Sequence, residues 1–269
     1  MRTNRVYTVR EEYLRTIKRN KRIIKITQFS LLIFLIILWE VFANIGIIDS
    51  FITSKPSEVF ETFLELISDG LFVHIGITCL ETIIGFLLGT IIGTLIAALL
   101  WWSAFLSKVF APYLVVLNSL PKVALGPIII VWFGAGMPAI ITMALAISLV
   151  VTILDMLNGF NSTDENKIKM LQSFGANKLQ TFIKIVFPSN IPTLLNVFKV
   201  NIGLSMVGVI TGEFLVSKNG LGYLIVYGGQ VFQLDLVMTS VIILGIVATI
   251  LYYVVILFEK LLSNSGKWQ

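Results

Sequence analysis

The stretch NSTDENKIKMLQSFGANKLQTFIKIVFP, residues 161–188, decides how the chain is to be read. It holds Asp164, Glu165, Lys167, Lys169, Lys178 and Lys184 and is too polar to cross hydrocarbon. Yet it lies between two apolar runs, about 139–160 and 190–215, each long enough to span a bilayer, which takes about 20 mainly apolar residues. Asn161-Ser162-Thr163-Asp164 offers several helix caps, and a short helix is expected to run to about Phe174. Gly175 suits the left-handed residue that ends a helix. A second short helix is expected from about Asn177 to Phe187, stopped by Pro188. Met170, Leu171, Phe174 and Phe182 would then stand as apolar knobs on an extramembrane loop. Such knobs are costly in water unless they pack on the bundle, on the membrane or on a partner protein.

Working outward, four more apolar stretches appear. The first span is about 29–48, apolar but for Glu40 and Asn44. An acidic segment, 49–75, follows. Within it Pro56-Ser57-Glu58 reads as a helix start, with Ser57 as cap and Glu58 on the positive end of the dipole. Val59, Phe60, Phe63, Leu64 and Ile67 then share one face, which predicts an amphipathic helix in the membrane interface. The second span, about 76–101, carries Gly85, Gly89 and Gly93 at four-residue intervals, a spacing that lets helix backbones approach closely. After a short loop at Lys108 the third span, about 110–133, is interrupted by Pro121 and Pro127. Gly134-Ala135-Gly136 and Pro138 form a tight turn before the fourth span, 139–160. The fifth span, 190–215, leads into a loop with Gly220, Gly222, Gly228 and Gly229, and the sixth is about 235–258. The expected fold is an all-α polytopic membrane helical bundle of about six transmembrane helices, a core of five with an extra first span. Its core occupies 76–260, with a short tail at 261–269.

Composition agrees. Of 269 residues, 57% are hydrophobic and 13% charged, with mean hydropathy +0.92; a soluble domain carries about 25% charged residues. The net charge of +5 is concentrated in a basic tail, 1–28, where Arg2, Arg5, Arg10, Arg15, Lys18, Arg19, Lys21, Arg22 and Lys25 precede the first span. Such a block holds its side in the cytoplasm and sits well on anionic lipid; no soluble domain is available to bind nucleic acid. Six spans put both termini on one side, and the inside segments then hold most of the lysine and arginine, against only Lys55 and Lys218 outside. The first run reads as an uncleaved span rather than a signal peptide. One cysteine, Cys79, and one histidine, His74, make neither a disulfide nor a four-ligand metal site. His74 reads as a solvated residue at the outer interface, Cys79 as a packing residue, and Trp101, Trp102 and Trp132 as interface anchors.

Four segments in order carry a family resemblance. Leu171-Gln-Ser-Phe174-Gly175-Ala176-Asn177, with Phe187-Pro188 following, resembles the cytoplasmic coupling loop of binding-protein-dependent ABC importer permeases. In that family a Glu-Ala-Ala triplet precedes the glycine, and Leu-Pro lies about 13 residues after it. Here the triplet position reads Lys169-Met170-Leu171, so the acidic residue is missing. Leu120-Pro121-Lys122-Val123-Ala124-Leu125-Gly126-Pro127, running into Val131-Trp132-Phe133-Gly134, is similar to the third-span signature of the nitrate/sulfonate/taurine branch. Gly212-Glu213-Phe214 with Gly220-Leu221-Gly222-Tyr223, and Lys55-Pro56-Ser57-Glu58-Val59, resemble the same branch.

The resemblance implies a type I importer permease in a bacterial plasma (inner) membrane, working by alternating access. It implies a second permease chain, expected to be an identical copy, two ABC ATPase subunits, and an extracytoplasmic binding protein. The implied substrate is a small anion such as a sulfonate, taurine or nitrate, with a pyrimidine vitamin precursor as the alternative. Residues Lys169, Met170, Leu171, Phe174, Gly175, Ala176, Asn177 and Lys178 would form the ATPase-coupling loop. The chain lacks a Gly-x-x-x-x-Gly-Lys-Ser/Thr phosphate cradle, so it is expected to bind no cofactor and to be no enzyme, with ATP and Mg held by the ATPase partners. An ion-coupled secondary transporter and a membrane scaffold are the rival classes; no inverted internal repeat points to the first.

Charged and amide side chains in the spans are candidates for a translocation path, because burying them is expensive without a role. Lys122 follows a helix-breaking proline and either attracts an anion or is structurally paired. Glu213 reads as a gating or structural hydrogen-bond partner, and Asp155 as a solvated or gate-pairing residue. Asn118, Asn158, Asn196 and Asn201 either line the path or bond between helices.

Overall fold

The computed structural model describes residues 9–264. Arg2, Arg5 and the tail from 265 lie outside them. Among the described residues all regular structure is helical. Helix α1 spans Val9–Ile45, α2 Ser50–Thr53, α3 Pro56–Ser68, α4 Leu71–Trp102 and α5 Ala104–Ser119. A 3-10 turn at Lys122–Leu125 leads to α6, Gly126–Phe133, then α7, Met137–Asn161. Helices α8 (Glu165–Ser173), α9 (Lys178–Thr181) and α10 (Phe187–Ser189) make up the polar stretch, and α11 (Ile191–Val216), α12 (Leu221–Gln230) and α13 (Leu234–Asn264) complete the chain. Five helices are long and apolar enough to cross a membrane; α5 and the Lys122–Phe133 segment pass the same test only as a pair, and they are bent by 90° at the break, the geometry of a broken span or a re-entrant loop.

The bundle is organised around α7, the most buried span, which packs against α4 and α11. Its partners are small residues in register. A Cβ built on Gly85 would stand 2.6 Å from the Ala144 Cβ, one on Gly93 2.6 Å from the Thr152 Cβ, and one on Gly89 would collide with Ser148. On the other side of Ala144, a Cβ on Gly208 would come within 2.9 Å of the Ala144 backbone nitrogen, and one on Gly212 within 2.9 Å of the Ile140 Cα. Ala144 is thus clasped between two helices with no room for a methyl group on either. Because lipid tails are as apolar as the side chains, such close van der Waals contact, rather than apolar burial, holds spans together. Asn201, fully buried on α11, donates from Nδ2 to Thr90 Oγ1 of α4 at 2.9 Å and to Thr152 Oγ1 of α7 at 2.6 Å, tying the same three helices. Near the 161–190 end, Lys199 of α11 pairs with Glu259 of α13 at 2.8 Å.

Several expectations are corrected. Helix α1 starts at Val9, well before the apolar run, because the basic residues are good helix formers; hydropathy marks the membrane, not the helix. Only its far end touches the core: Trp39 Nε1 donates to the Ser54 carbonyl at 3.2 Å. Ser57 does not cap α3; the N-cap is Lys55, and Glu40 of α1 accepts the Ser57 N–H and hydroxyl, each at 3.0 Å. Helix α3 also packs on the bundle through Leu66, buried with Leu71 and Leu221, while Phe60 and Leu64 of the same helix stay exposed. Pro188 does not stop a helix. It occupies the first turn of α10, where its missing N–H is no loss, after a π-helical turn at Phe182–Val186.

Candidate functional site

Two regions gather polar and exposed apolar groups, one at each end of the bundle. The first is the polar stretch. Asp164 caps α8, accepting from the Asn166 N–H at 2.9 Å, and Glu165 pairs with Lys169 at 2.8 Å. That lysine holds the Glu165 carboxyl below the usual carboxylate range. Gly175 turns the chain at φ +83°, a conformation that strains any residue with a Cβ. Asn177 and Gln180 then form a capping box that starts α9. Both acidic side chains of α8 are thereby used within the helix, whereas Lys167 and Lys184 make no ion pair among the described residues.

Lys178 anchors the loop to the bundle. Its Nζ donates to the Trp102 carbonyl at 2.6 Å and lies 5.7 Å from the Trp101 and Trp102 ring centroids, a geometry favourable for cation–π attraction. Phe182 turns inward onto Trp101, Phe160 and Phe187. Asn190, buried, donates to Thr163 Oγ1 and to the Val186 carbonyl. With the loop so fixed, Met170, Phe174, Leu179 and Ile183 still point away from the protein; Phe174 is 82% exposed. Of the four knobs read from the sequence, Phe182 belongs to the core of the bundle, Leu171 is half-buried, and Met170 and Phe174 are free.

The second region lies at the opposite end. Glu213, near the end of α11, is buried and accepts from the Thr78 hydroxyl at 2.6 Å through Oε1 and from the Gly222 N–H at 2.6 Å through Oε2. Thr78 in turn accepts the Leu221 N–H at 2.9 Å, and His74 Nδ1 the Gly220 N–H at 3.0 Å. The loop between α11 and α12 is therefore bolted to α4 by backbone donors. The glycines are required: a Cβ on Gly220 would strike the Glu213 carboxylate, and one on Gly222 would stand 2.7 Å from its Oε2. His74 is accordingly not a solvated residue but a half-buried acceptor stacked on Tyr223; a lone histidine's role in a distant loop leaves no trace in local sequence. Sequence reasoning also passed over Glu81, 2% exposed, whose carboxyl is hydrogen-bonded to that of Glu213. The signal was present as a carboxylate inside an otherwise apolar span, one helical turn from Thr78.

Thr78→Val is expected to destabilise the protein by about 1–3 kcal/mol, the cost of leaving the buried Leu221 N–H and a Glu213 oxygen without partners. Thr82→Val, whose hydroxyl only back-bonds to the Thr78 carbonyl of its own helix, is expected to cost less than about 1 kcal/mol. Unfolding of both in detergent measures the contrast.

The remaining predicted residues separate. Lys122 and Asn118 come together at the bend, Lys122 Nζ donating to the Asn118 carbonyl at 3.0 Å; a lysine there satisfies one of the orphan carbonyls at the end of α5. Asn158 is exposed on α7 near the polar stretch. Asn201 and Glu213 sit in helix junctions rather than on an open face. Gly85, Gly89 and Gly93 face α7, as described above. Among the described residues there is no cluster fit for a metal ion.

Residues 85–265 match the family model of the binding-protein-dependent transport system inner membrane component. The chain belongs to this family. It is an ABC importer permease subunit of the nitrate/sulfonate/taurine type. It is 27% identical to the putative aliphatic sulfonates transport permease protein SsuC of Bacillus subtilis, over 87% of this chain and 84% of that one. It is 25% identical to the formylaminopyrimidine transport permease protein ThiX of Halalkalibacterium halodurans, over 77% and 81%. Among solved structures, an amino acid ABC transporter with histidines aligns at TM-score 0.51 and 19% identity, over 75% of this chain and 96% of that chain. That likeness bears on the fold alone. Like these relatives, the chain is a permease subunit.

Proposed function

We propose that this permease forms the membrane pathway of an ATP-driven importer for a small anion such as a sulfonate, taurine or nitrate. It works by alternating access with a second, identical permease chain in a bacterial plasma membrane, both termini cytoplasmic. Two ABC ATPase subunits hold ATP and Mg and grip the 161–188 loops, while an extracytoplasmic binding protein delivers the solute. The observation that carries this reading is the polar loop, which is rigidly anchored through Lys178 and Asn190 yet presents Met170 and Phe174 outward. An apolar tip carried on a fixed base is suited to transmit motion to the bundle. Because Asp164 and Glu165 are internally used, the face left over is apolar and cationic, so the ATPase groove that takes it is apolar with an acidic rim.

For the solute, Lys122 at the α5–α6 bend provides a cation beside a broken helix, where backbone groups also face a pathway. With it we place Asn118 and Asn158 on the path, and Asn201 and Glu213 as junctions that flex beside it. A pyrimidine vitamin precursor is the second reading, favoured by the similarity to the formylaminopyrimidine permease.

Tagged and purified gently from native membranes, the chain is expected to bring with it an ABC ATPase and a binding protein in stoichiometric amounts. The ligand carried by that binding protein, identified by mass spectrometry, separates anion from pyrimidine. A chain that came out alone and drove uptake from an ion gradient without ATP would overturn the importer assembly.

A further inference from the structure

Glu81 of α4 and Glu213 of α11 are 2% and 1% exposed. Among the described residues no lysine or arginine forms an ion pair with either. The donors that reach Glu213 from Thr78 and Gly222 are held in place by the loop. Glu81 is hydrogen-bonded to it as well, while the other oxygen of Glu81, Oε2, is buried without a donor. Ionised carboxylates only accept hydrogen bonds, so two of them bond to each other only with a proton between them. An ionised Glu81 would add a second negative charge and a charged oxygen without a protein donor to a buried site, and both are expensive. As a neutral acid it donates to Glu213 and leaves only a carbonyl-type oxygen unpaired. A cleft of about 490 Å³, walled by Ile77, Glu81, Gly136, Ile140, Ser217 and Lys218, opens at this end of the bundle.

We propose that Glu81 and Glu213 form a proton-binding site that latches the 217–222 loop onto α4 and is loaded through this cleft. That the cleft faces the outside rests on the orientation proposed above; the proton site itself does not. With the proton in place, one shared negative charge is met by the Thr78 hydroxyl, the Gly222 N–H and the Glu81 acid. Removing it sets two carboxylates against each other in a low-dielectric site. Glu213 is the one fastened to the loop, so separation is relieved by letting the loop go. The latch therefore holds at low pH and weakens as pH rises. The other titratable and charged groups around the pair are His74 and Cys79 on α4, Tyr223 on α12 and Lys218 at the cleft. Glu81→Gln keeps an N–H to donate to Glu213 and a carbonyl in place of Oε2, but has no proton to lose.

The full chain in lipid nanodiscs tests this without any importer partner. Infrared spectra are expected to show the C=O stretch of a protonated carboxylic acid in the wild type, and its loss in Glu81→Gln. In the wild type that band should vanish on going to alkaline pH, in step with faster hydrogen exchange at the amides of Gly220, Leu221 and Gly222. After correction for intrinsic exchange, release of one proton speeds it by up to roughly tenfold per pH unit. In Glu81→Gln the corrected exchange should stay flat. A wild-type spectrum lacking the band, a band unchanged in Glu81→Gln, or the same pH profile in both proteins would overturn the proposal. The wild-type titration alone decides it if the variant fails to fold. Co-purification of an ATPase reads the importer assignment separately.

Discussion

Phe174→Asp is expected to lower ATP-driven uptake by roughly 30-fold or more while leaving the fold intact. Phe174 is 82% exposed and no packing in this chain depends on it, so its loss should move stability by no more than about 0.5 kcal/mol. An exposed aromatic at the tip of an anchored loop is the sort of group that carries a protein interface, where truncating a central aromatic commonly costs 2 kcal/mol or more, and an aspartate adds an uncompensated charge facing an acidic rim. The contrast is Phe182→Ala, one turn past the Asn177 cap: this ring is wedged among Trp101, Phe160 and Phe187, so its removal should cost about 3–5 kcal/mol of stability before it affects any partner. Uptake by reconstituted complexes, ATPase co-precipitation and detergent unfolding, read side by side, distinguish the two. Normal uptake in Phe174→Asp would remove the loop from the coupling interface and with it the main support for the proposed assembly.

The opposite fates of Phe174 and Phe182 also show what the sequence can and cannot reveal. Both were legible as apolar residues in a polar loop, and Gly175 as the turn between two helices. Which of them would face inward depended on Trp101, some 80 positions away, and no local pattern encodes that. Five of the six spans were legible, because about 20 apolar residues admit few other fates, whereas the stretch read as the third, about 110–133, is a pair of helices bent by 90°. Span ends were not: α4 begins at Leu71 rather than near residue 76, since its first turns carry His74 and Thr78, which are polar for the sake of the 217–222 loop. Prolines were ambiguous for a related reason. Pro121 marks a real bend of 90°, whereas Pro188 starts a helical turn and Pro112 lies inside α5. The missing N–H is no loss in the first turn, as at Pro188, whereas inside a helix, as at Pro112, whether the helix breaks depends on what else can satisfy the freed carbonyl. The Glu81–Glu213 contact was hardest to see. Each carboxylate alone in a span reads as an isolated cost, and only their meeting across 132 positions of sequence, at a loop built of glycines, makes sense of both.

Gly208→Leu is expected to be the most disruptive single substitution in the bundle, costing about 3 kcal/mol or more, the upper end for overpacking a closed site. The residues that oppose a new Cβ there are backbone atoms of α7, with the Ala144 nitrogen at 2.9 Å and the Met143 carbonyl carbon at 3.1 Å, and backbone cannot step aside by changing rotamer. The two helices would have to separate. Separation would also loosen Gly85 of α4 from the other face of Ala144 and the Asn201 hydrogen bonds to Thr90 and Thr152. In lipid no gain in apolar burial offsets that loss. Gly203→Leu, on the same helix less than two turns earlier, is the control: nothing lies within 4 Å of a Cβ at that position, so removing a helical glycine should stabilise by roughly 0.5–1 kcal/mol. Unfolding of the two variants in detergent is expected to differ by about 4 kcal/mol in favour of Gly203→Leu, the sum of these overpacking and propensity effects. Equal stability would mean that α7 and α11 do not cross at Ala144. The small residues at Gly208 and Gly212 would then need another explanation, such as room for α11 to slide on α7 during the transport cycle.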